Sequence, residues 1–365
     1  GGGAYGDTFT TNDIIGCAID LDNQKIWWSK NGTFQNSGDP ATGTNAAFTN
    51  LTAGLFYRFC ISHAGSTATD VTGNFGQSAF AYTPPTGFNA LSTANLPDPT
   101  IADPSAYFQT TVYTGNGTAI GSGGLEVNQS GNSTFQPDFA WIKNRTTGGN
   151  EHDLYDAVRG ATKVIFSSTN GAEATVTEGL VSFDSDGFTV GNRGEVNTSG
   201  NSMVAWQWKA NGAGSSNTDG SITSTVSVNT ASGFSIATYT GNATSSQTIG
   251  HGLGQTPSLV MFKELDSSSY SWQVYHVSLG YTQRLILDGT NAASAATNIF
   301  DAAPTSTVLT IGSSAGINTS SSSHVMYSFA EVEGFSKFGS YTGNGSTTGP
   351  FVYTGFKPAF ILTKN

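Results

Sequence analysis

Glu331-Val332-Glu333 sets two carboxylates one residue apart, so a strand there would carry both on one face. A glycoside hydrolase needs an acid and a base about 5 to 9.5 Å apart across a sugar cleft. A solvated strand face gives the same pattern, and no catalytic residue is assigned from it. Asp20-Leu21-Asp22-Asn23 and Asp184-Ser185-Asp186-Gly187 have the carboxylate spacing of calcium loops. Neither is followed by the glutamate that closes an EF-hand loop, and both fall where a hairpin must turn. They are read as turns. The histidines, at 63, 152, 251, 276 and 324, have no neighbours that would complete a metal site or a nucleophile–base pair. No metal and no cofactor is expected. Cys17 and Cys60 stand in apolar runs, where buried free thiols are expected and a disulfide between them is the other reading.

Aromatic side chains offer binding chemistry, because an exposed ring can lie against the apolar face of a sugar. The tryptophans are Trp27, Trp28, Trp141, Trp206, Trp208 and Trp272. Adjacent residues on a strand point to opposite faces, so one of Trp27 and Trp28 should be turned outward, whereas Trp206 and Trp208 share a face. Trp28, Trp272 and Arg159 are the candidate ligand-contact residues.

The elements that would position these residues follow from composition. Of 365 residues 46 are Gly, only 11% are charged and 12% are aromatic. Turn formers mixed with Val, Ile, Phe, Tyr and Thr predict many short strands, and no long window has a helical period. A formal charge of −11 disfavours a phosphate backbone as partner, so nucleic acid is not expected. No run of about 18 apolar residues occurs, and membrane insertion is not expected. The chain opens on Gly-Gly-Gly without Met, and nothing there reads as a signal peptide.

Order along the chain is set by a repeat. Tyr-Thr-Gly-Asn stands at Tyr113, Tyr239 and Tyr341, and Pro137, Pro257 and Pro358 follow 24, 18 and 17 residues later. Each proline opens an apolar run that ends in lysine six residues on, at Lys143, Lys263 and Lys364. Val204-Ala205-Trp206-Gln207-Trp208 matches Val325-Met326-Tyr327-Ser328-Phe329, at 61 and 62 residues beyond those lysines. Large apolar residues thus replace Trp206 and Trp208, which assigns both to a core. The copies are expected at 107–232 and 233–333, with a third beginning at 334 and running through its second strand by 365. Each full copy reads as a β-sandwich of seven or eight short strands. In the repeated tetrapeptide Tyr and Thr end a strand, and Gly-Asn is expected to supply a positive-φ turn. Leu96-Pro97-Asp98-Pro99 and Asp103-Pro104 predict a stiff connector over 97–106. The fold class is all-β, with tandem antiparallel β-sandwich domains of jelly-roll or lectin-like kind.

Residues 7–90 carry an ordered series: Gly16-Cys17, Asp20, Asp22, Ile26-Trp27, Ser29-Lys30-Asn31-Gly32, Ala47-Phe48, Phe56-Tyr57 and Asn74-Phe75-Gly76. This series resembles the C-terminal half of a SPRY (B30.2-like) domain. That resemblance implies a two-sheet sandwich over 1–96, binding through loops without catalysis, with the N-terminal half of the domain absent. The repeats, with Phe135-Gln136-Pro137-Asp138-Phe139, Trp141-Ile142-Lys143-Asn144-Arg145, Arg159-Gly160-Ala161-Thr162-Lys163 and Ser182-Phe183-Asp184-Ser185-Asp186-Gly187-Phe188, resemble an uncharacterised β-rich domain of structural proteins in tailed bacteriophages. Leu279 stands where Arg159 stands in the first copy, so a role for that arginine is not shared. The resemblance implies a virion protein working outside the cell. It would be a tail fibre or tail-associated adhesin that meets a host-surface glycan, contacts other virion proteins and forms homo-oligomers, with trimers by family analogy. A filament or capsid-decoration protein without ligand is the structural alternative, and a glycan-degrading enzyme using Glu331 and Glu333 is the catalytic one.

Overall fold

The computed structural model describes residues 5–52, 57, 70–95 and 99–365. The chain divides into two compact units, Gly1–Asp98 and Pro99–Asn365. Both are built of β-strands joined by turns, with only short helical segments among the described residues.

In the N-terminal unit β1 (Ile15–Asp20), β2 (Lys25–Lys30) and β3 (Thr33–Phe34) form an antiparallel meander. The Asp20 carboxylate accepts from the backbone and the amide of Asn23, at 2.9 and 2.8 Å, so this acidic cluster is a turn lock, as its sequence suggests. Asn31 and Gly32 both take positive φ, the conformation a tight hairpin needs. Trp27 is fully buried, donates its indole N–H to the Thr44 carbonyl at 2.8 Å and meets Phe88 edge-on. Cys17 lies on the outward side with Ile15 and Ile19 and is exposed, which corrects the expectation of a buried thiol. Apart from Tyr57, the strand expected at 54–62, with Cys60, lies outside the described residues, as does His63.

The second unit begins at Pro99, so most of the expected connector is packed structure. Ile101 is buried, and Asp103 caps the turn at Pro104–Ala106 while also accepting from the Ser133 hydroxyl at 2.6 Å. The first copy comprises β4 (Phe108–Thr114), β5 (Leu125–Asn128), β6 (Phe139–Asn144), β7 (His152–Asp156), β8 (Lys163–Phe166), β9 (Ala174–Thr175), β10 (Leu180–Asp184), β11 (Gly187–Val190), the single-turn helix α1 (Gly194–Asn197) and β12 (Ser202–Trp208). Its large sheet runs β4-β12-β6-β7-β8-β9 and its small sheet β10-β11-β5. The second copy begins with β13 (Ser215–Asn217) and β14 (Ser224–Asn229), which were expected within 107–232 but join the second copy's large sheet. It continues through β15 (Phe234–Thr240), β16 (Gln247–Gly250), β17 (Leu259–Glu264), β18 (Gln273–His276), β19 (Gln283–Ile286), β20 (Ser294–Ala295), β21 (Val308–Ile311), α2 (Ala315–Asn318) and β22 (Ser323–Phe329). Its large sheet, β13-β14-β15-β22-β17-β18-β19-β20, repeats the six-strand order of the first copy behind two added edge strands. Pro137 and Pro257 stand before the equivalent strands β6 and β17.

Strand periodicity places the cores. On β6, Ala140 and Ile142 face the first copy's small sheet with Val127, Tyr155, Phe188 and Val190. On β17, Val260 and Phe262 do the same with Ile249, Leu309 and Ile311. Phe139 and Trp141 point the other way, into a third cluster with Trp208, Phe234, Ile236, Met261, Trp272 and Tyr327. The large sheets of the two copies therefore pack against each other, and each is buried on both faces. This differs from the end-to-end string of sandwiches expected from the repeat. The reason is the second apolar face of the large-sheet strands, which has to be covered.

Residues 334–365 contain no strand, although two were expected. In the full copies the Tyr-Thr strand pairs with the last strand of its copy, roughly ninety residues later. No such partner occurs within 334–365, and Tyr341 is exposed. Phe360, two residues after Pro358, instead packs on Trp206, Trp208 and Trp141 at the rim of the layer between the sheets. Lys364 donates to the Gly289 carbonyl.

The repeated tetrapeptide is a buckle. In the first copy Tyr113 donates its hydroxyl to Val196 O at 2.7 Å, and Asn116 N donates to Asn197 Oδ1 at 2.7 Å. In the second, Tyr239 and Asn242 make the same bonds to Ile317 O and Asn318 Oδ1, at 2.5 and 2.8 Å. Positive φ falls one residue later than expected, at Gly117 and Ala243. The glycine of the motif is required for room: a Cβ on Gly115 would stand 2.3 Å from Thr198 O, and on Gly241 2.2 Å from Thr319 O.

Candidate functional site

Two of the three candidate ligand contacts are enclosed between the large sheets. The Arg159 guanidinium pairs with Asp156 at 2.5 Å and Glu173 at 3.1 Å, and donates to Leu154 O and the Tyr327 hydroxyl, each at 3.2 Å. Tyr327 in turn donates to Asp156 at 2.6 Å. Burial alone would weaken the charged guanidinium, but the Asp156 carboxylate beside it more than offsets this and holds its pKa above the usual value. Trp272 is fully buried, stacks on Tyr327 and donates its indole N–H to Phe166 O at 2.7 Å. Both residues thus converge on Tyr327 and join the copies, and neither offers a free face to a ligand. Trp28, in the N-terminal unit, is half-buried opposite Cys17 in the hairpin, on the outward side. The carboxylate pair is also accounted for: Glu331 is bound to Lys337 on the surface.

Two cavities open on the second copy. The first, about 280 Å³, is lined by Ser269, Ser271, Gln273, Arg284, Ser314 and neighbouring backbone. Its rim is built by the lysine that ends the apolar run. Lys263 is buried and donates to Glu264 O at 2.6 Å and Tyr270 O at 3.1 Å, which folds the 267–270 loop back over the sheet. Burial pulls the Lys263 pKa below its usual value. Lys143 makes the equivalent bond in the first copy, to Asn150 O, again seven residues on. Within the cavity Arg284 donates Nη1 to Gln273 Oε1, while its Nε is buried without a partner. The second cavity, a broader cleft of about 440 Å³, is lined by Tyr281, Thr297, Asn298, Phe300, Asp301 and neighbours. Tyr281 is 38% exposed. Asp301 accepts from the backbone and hydroxyl of Ser246 at 2.8 and 3.2 Å. Between the two openings runs a backbone bond from Ser314 N to Asn298 O, 2.8 Å.

Residues 103–365, the whole of this β-layered region, match a domain of unknown function, DUF7483. The chain belongs to the DUF7483 family. Residues 1–77 match the SPRY domain. Over 81 residues the chain is 35% identical to Ran-binding protein 10 of Danio rerio, covering 22% of this chain and 11% of that protein. Ran-binding protein 9 of Homo sapiens is 35% identical over 81 residues, covering 22% and 10%. ATP-dependent RNA helicase DDX1 of Xenopus laevis is 35% identical over 95 residues, covering 25% and 11%. The chain spans about a tenth of the length of the curated relatives it matches. No solved structure matches it.

Both cavities belong to the DUF7483 region, and the sequence reading missed the residues that form them. Tyr281 and Arg284 lie in a short, turn-bounded stretch with no motif of its own. One signal was available. Within the DUF7483 region the copies differ at Tyr281, where the first copy has Ala161, and at Arg284, where it has Val164. A large or charged residue at a position that is small or apolar in the sister copy marks a surface given to something other than the shared fold.

Proposed function

We propose that the chain is a non-catalytic, glycan-binding display protein of a virion, a tail fibre or tail-associated adhesin fragment that acts outside the cell. The observation that carries the binding role is the cleft in which the half-exposed Tyr281 ring stands beside Thr297, Asn298 and Asp301. An aromatic face flanked by amide and hydroxyl groups suits a sugar, which offers an apolar ring face and a rim of hydroxyls. Binding is favoured over turnover because hydrolysis needs two carboxylates, and the one that lines this cleft is held by Ser246. The virion setting, the homo-oligomer and contacts with other virion proteins rest on the resemblance of the repeats to tailed-phage structural proteins. The rigid two-copy stack suits that setting, since a display arm must hold its loops away from the particle.

The test is binding of the purified chain to a glycan array and to host-envelope polysaccharide. Tyr281→Ala is expected to weaken binding by about tenfold, the loss of one stacked ring. A folded chain that binds no carbohydrate would leave the filament or capsid-decoration reading in its place.

A further inference from the structure

The two copies treat one location in opposite ways. In the first copy Asp153 on β7 is fully buried and accepts from Arg193 Nε at 3.1 Å. Arg193 immediately precedes α1 and lies over the Phe166 ring, 5.8 Å from its centroid. The protein supplies both charges, and the place is closed. In the second copy the residue two before the shared tyrosine is Gln273 instead of Asp153, and the residue before α2 is Ser314 instead of Arg193. A cation is nevertheless present, now from β19: Arg284 replaces Val164. The second copy has kept a guanidinium at this location by a different route while losing the carboxylate that would neutralise it.

Arg284 is thus incompletely satisfied. Its acceptor is the neutral Gln273, its Nε is buried without a partner, and among the described residues no carboxylate lies within ion-pairing distance. Two carboxylates of this copy that act on Lys263 are engaged elsewhere, Glu264 by the backbone of Asp266 and Ser267, and Asp288 by Trp272 N. Where the first copy has Arg193, the short Ser314 lines the open cavity, with Ser269 and Ser271 also on its wall. A guanidinium whose Nε lacks an acceptor and whose charge lacks a counter-ion suits a carboxylate, which it binds by charge-assisted hydrogen bonds.

We propose that this cavity is a subsite for a carboxylate-bearing sugar residue, such as a uronic or sialic acid. The ligand's carboxylate, entering beside Gln273, supplies the negative charge that Asp153 supplies in the first copy, and its hydroxyls meet the serines. This assignment rests on the glycan-binding reading and deepens it. The Ser314–Asn298 bond is the shared wall with the Tyr281 cleft, so neutral and acidic residues of one oligosaccharide have adjoining places.

The experiment is an array holding neutral, sulfated and carboxylate-bearing glycans, probed with the wild-type chain, Arg284→Gln and Ser314→Arg, each checked for folding by thermal melting. The wild type is expected to bind carboxylate-bearing glycans, with affinity falling as salt is raised. Arg284→Gln should lose at least about tenfold, the scale of one charge-assisted contact. Ser314→Arg should abolish binding by refilling the cavity from the side that closes it in the first copy, and it keeps the test decisive if Arg284→Gln does not fold. Binding confined to neutral or to sulfated glycans, or untouched by either substitution, would overturn the carboxylate subsite and leave the glycan reading standing. Failure to bind any glycan would remove both.

Discussion

Asp153 has one carboxylate oxygen on Arg193 and on the Tyr155 hydroxyl, and the other buried with no partner. Burial pushes its pKa up to about 6, and the Arg193 charge only partly counters this. A raised folded-state pKa means that stabilisation is complete below the unfolded value, about 4, and is lost as the pH rises through about 6. His324 works in the opposite sense. It is buried against Tyr239, donates Nδ1–H to Ser322 O at 3.0 Å, and burial lowers its pKa to about 4. Its contribution is present above the unfolded value, about 6.5, and is lost as the pH falls through 4. The two slopes oppose each other between pH 4 and 6. Urea midpoints across that range should therefore fall toward acid in Asp153→Asn and fall toward neutral in His324→Gln; parallel profiles in the wild type and both variants would refute the assignment. Neither group was legible in the sequence. Asp153 depends on an arginine forty residues away, and for His324 the one pointer to burial is the apolar Met203 at the same place in the first copy.

At the scale of elements, the strands were largely readable because alternation and turn residues are local, and the Tyr-Thr-Gly-Asn turn was readable as a turn. Its glycine was misread, since a close approach to Thr198 O or Thr319 O cannot be seen without the partner loop. Asn197 and Asn318 were missed for the same reason. Asn318 accepts from Asn242 N and donates to Gly312 O at 2.9 Å and Thr244 O at 2.8 Å, fastening three segments with one side chain. Asn318→Ala leaves those buried groups unpaired and should cost about 2 to 4 kcal/mol in urea unfolding. Asn344→Ala, in the corresponding turn of 334–365, removes only a local bond to Ser346 N and should cost less than about 0.5 kcal/mol.

At the scale of the whole second unit, the clue to the stacking was present in runs such as Phe139-Ala140-Trp141-Ile142. These are apolar at every position and so cannot belong to a strand with one wet face. The repeat drew attention to modules in series, whereas the runs required modules face to face. Because one aromatic layer serves both copies, residues 99–365 should melt as one cooperative transition in calorimetry; two separable peaks would show that the layer contributes little. Arg159→Ala breaks the buried pair with Asp156 that spans to Tyr327 and should lower that single transition by about 3 kcal/mol. The same layer holds Trp141, Trp206, Trp208 and Trp272, and neither cavity is lined by an indole. Tryptophan emission of this unit therefore reports on separation of the layers, whereas occupancy of either opening meets a tyrosine, Tyr270 or Tyr281, and no indole. A change in emission excited selectively at tryptophan on adding a sugar would mean that the ligand had pried the stack apart.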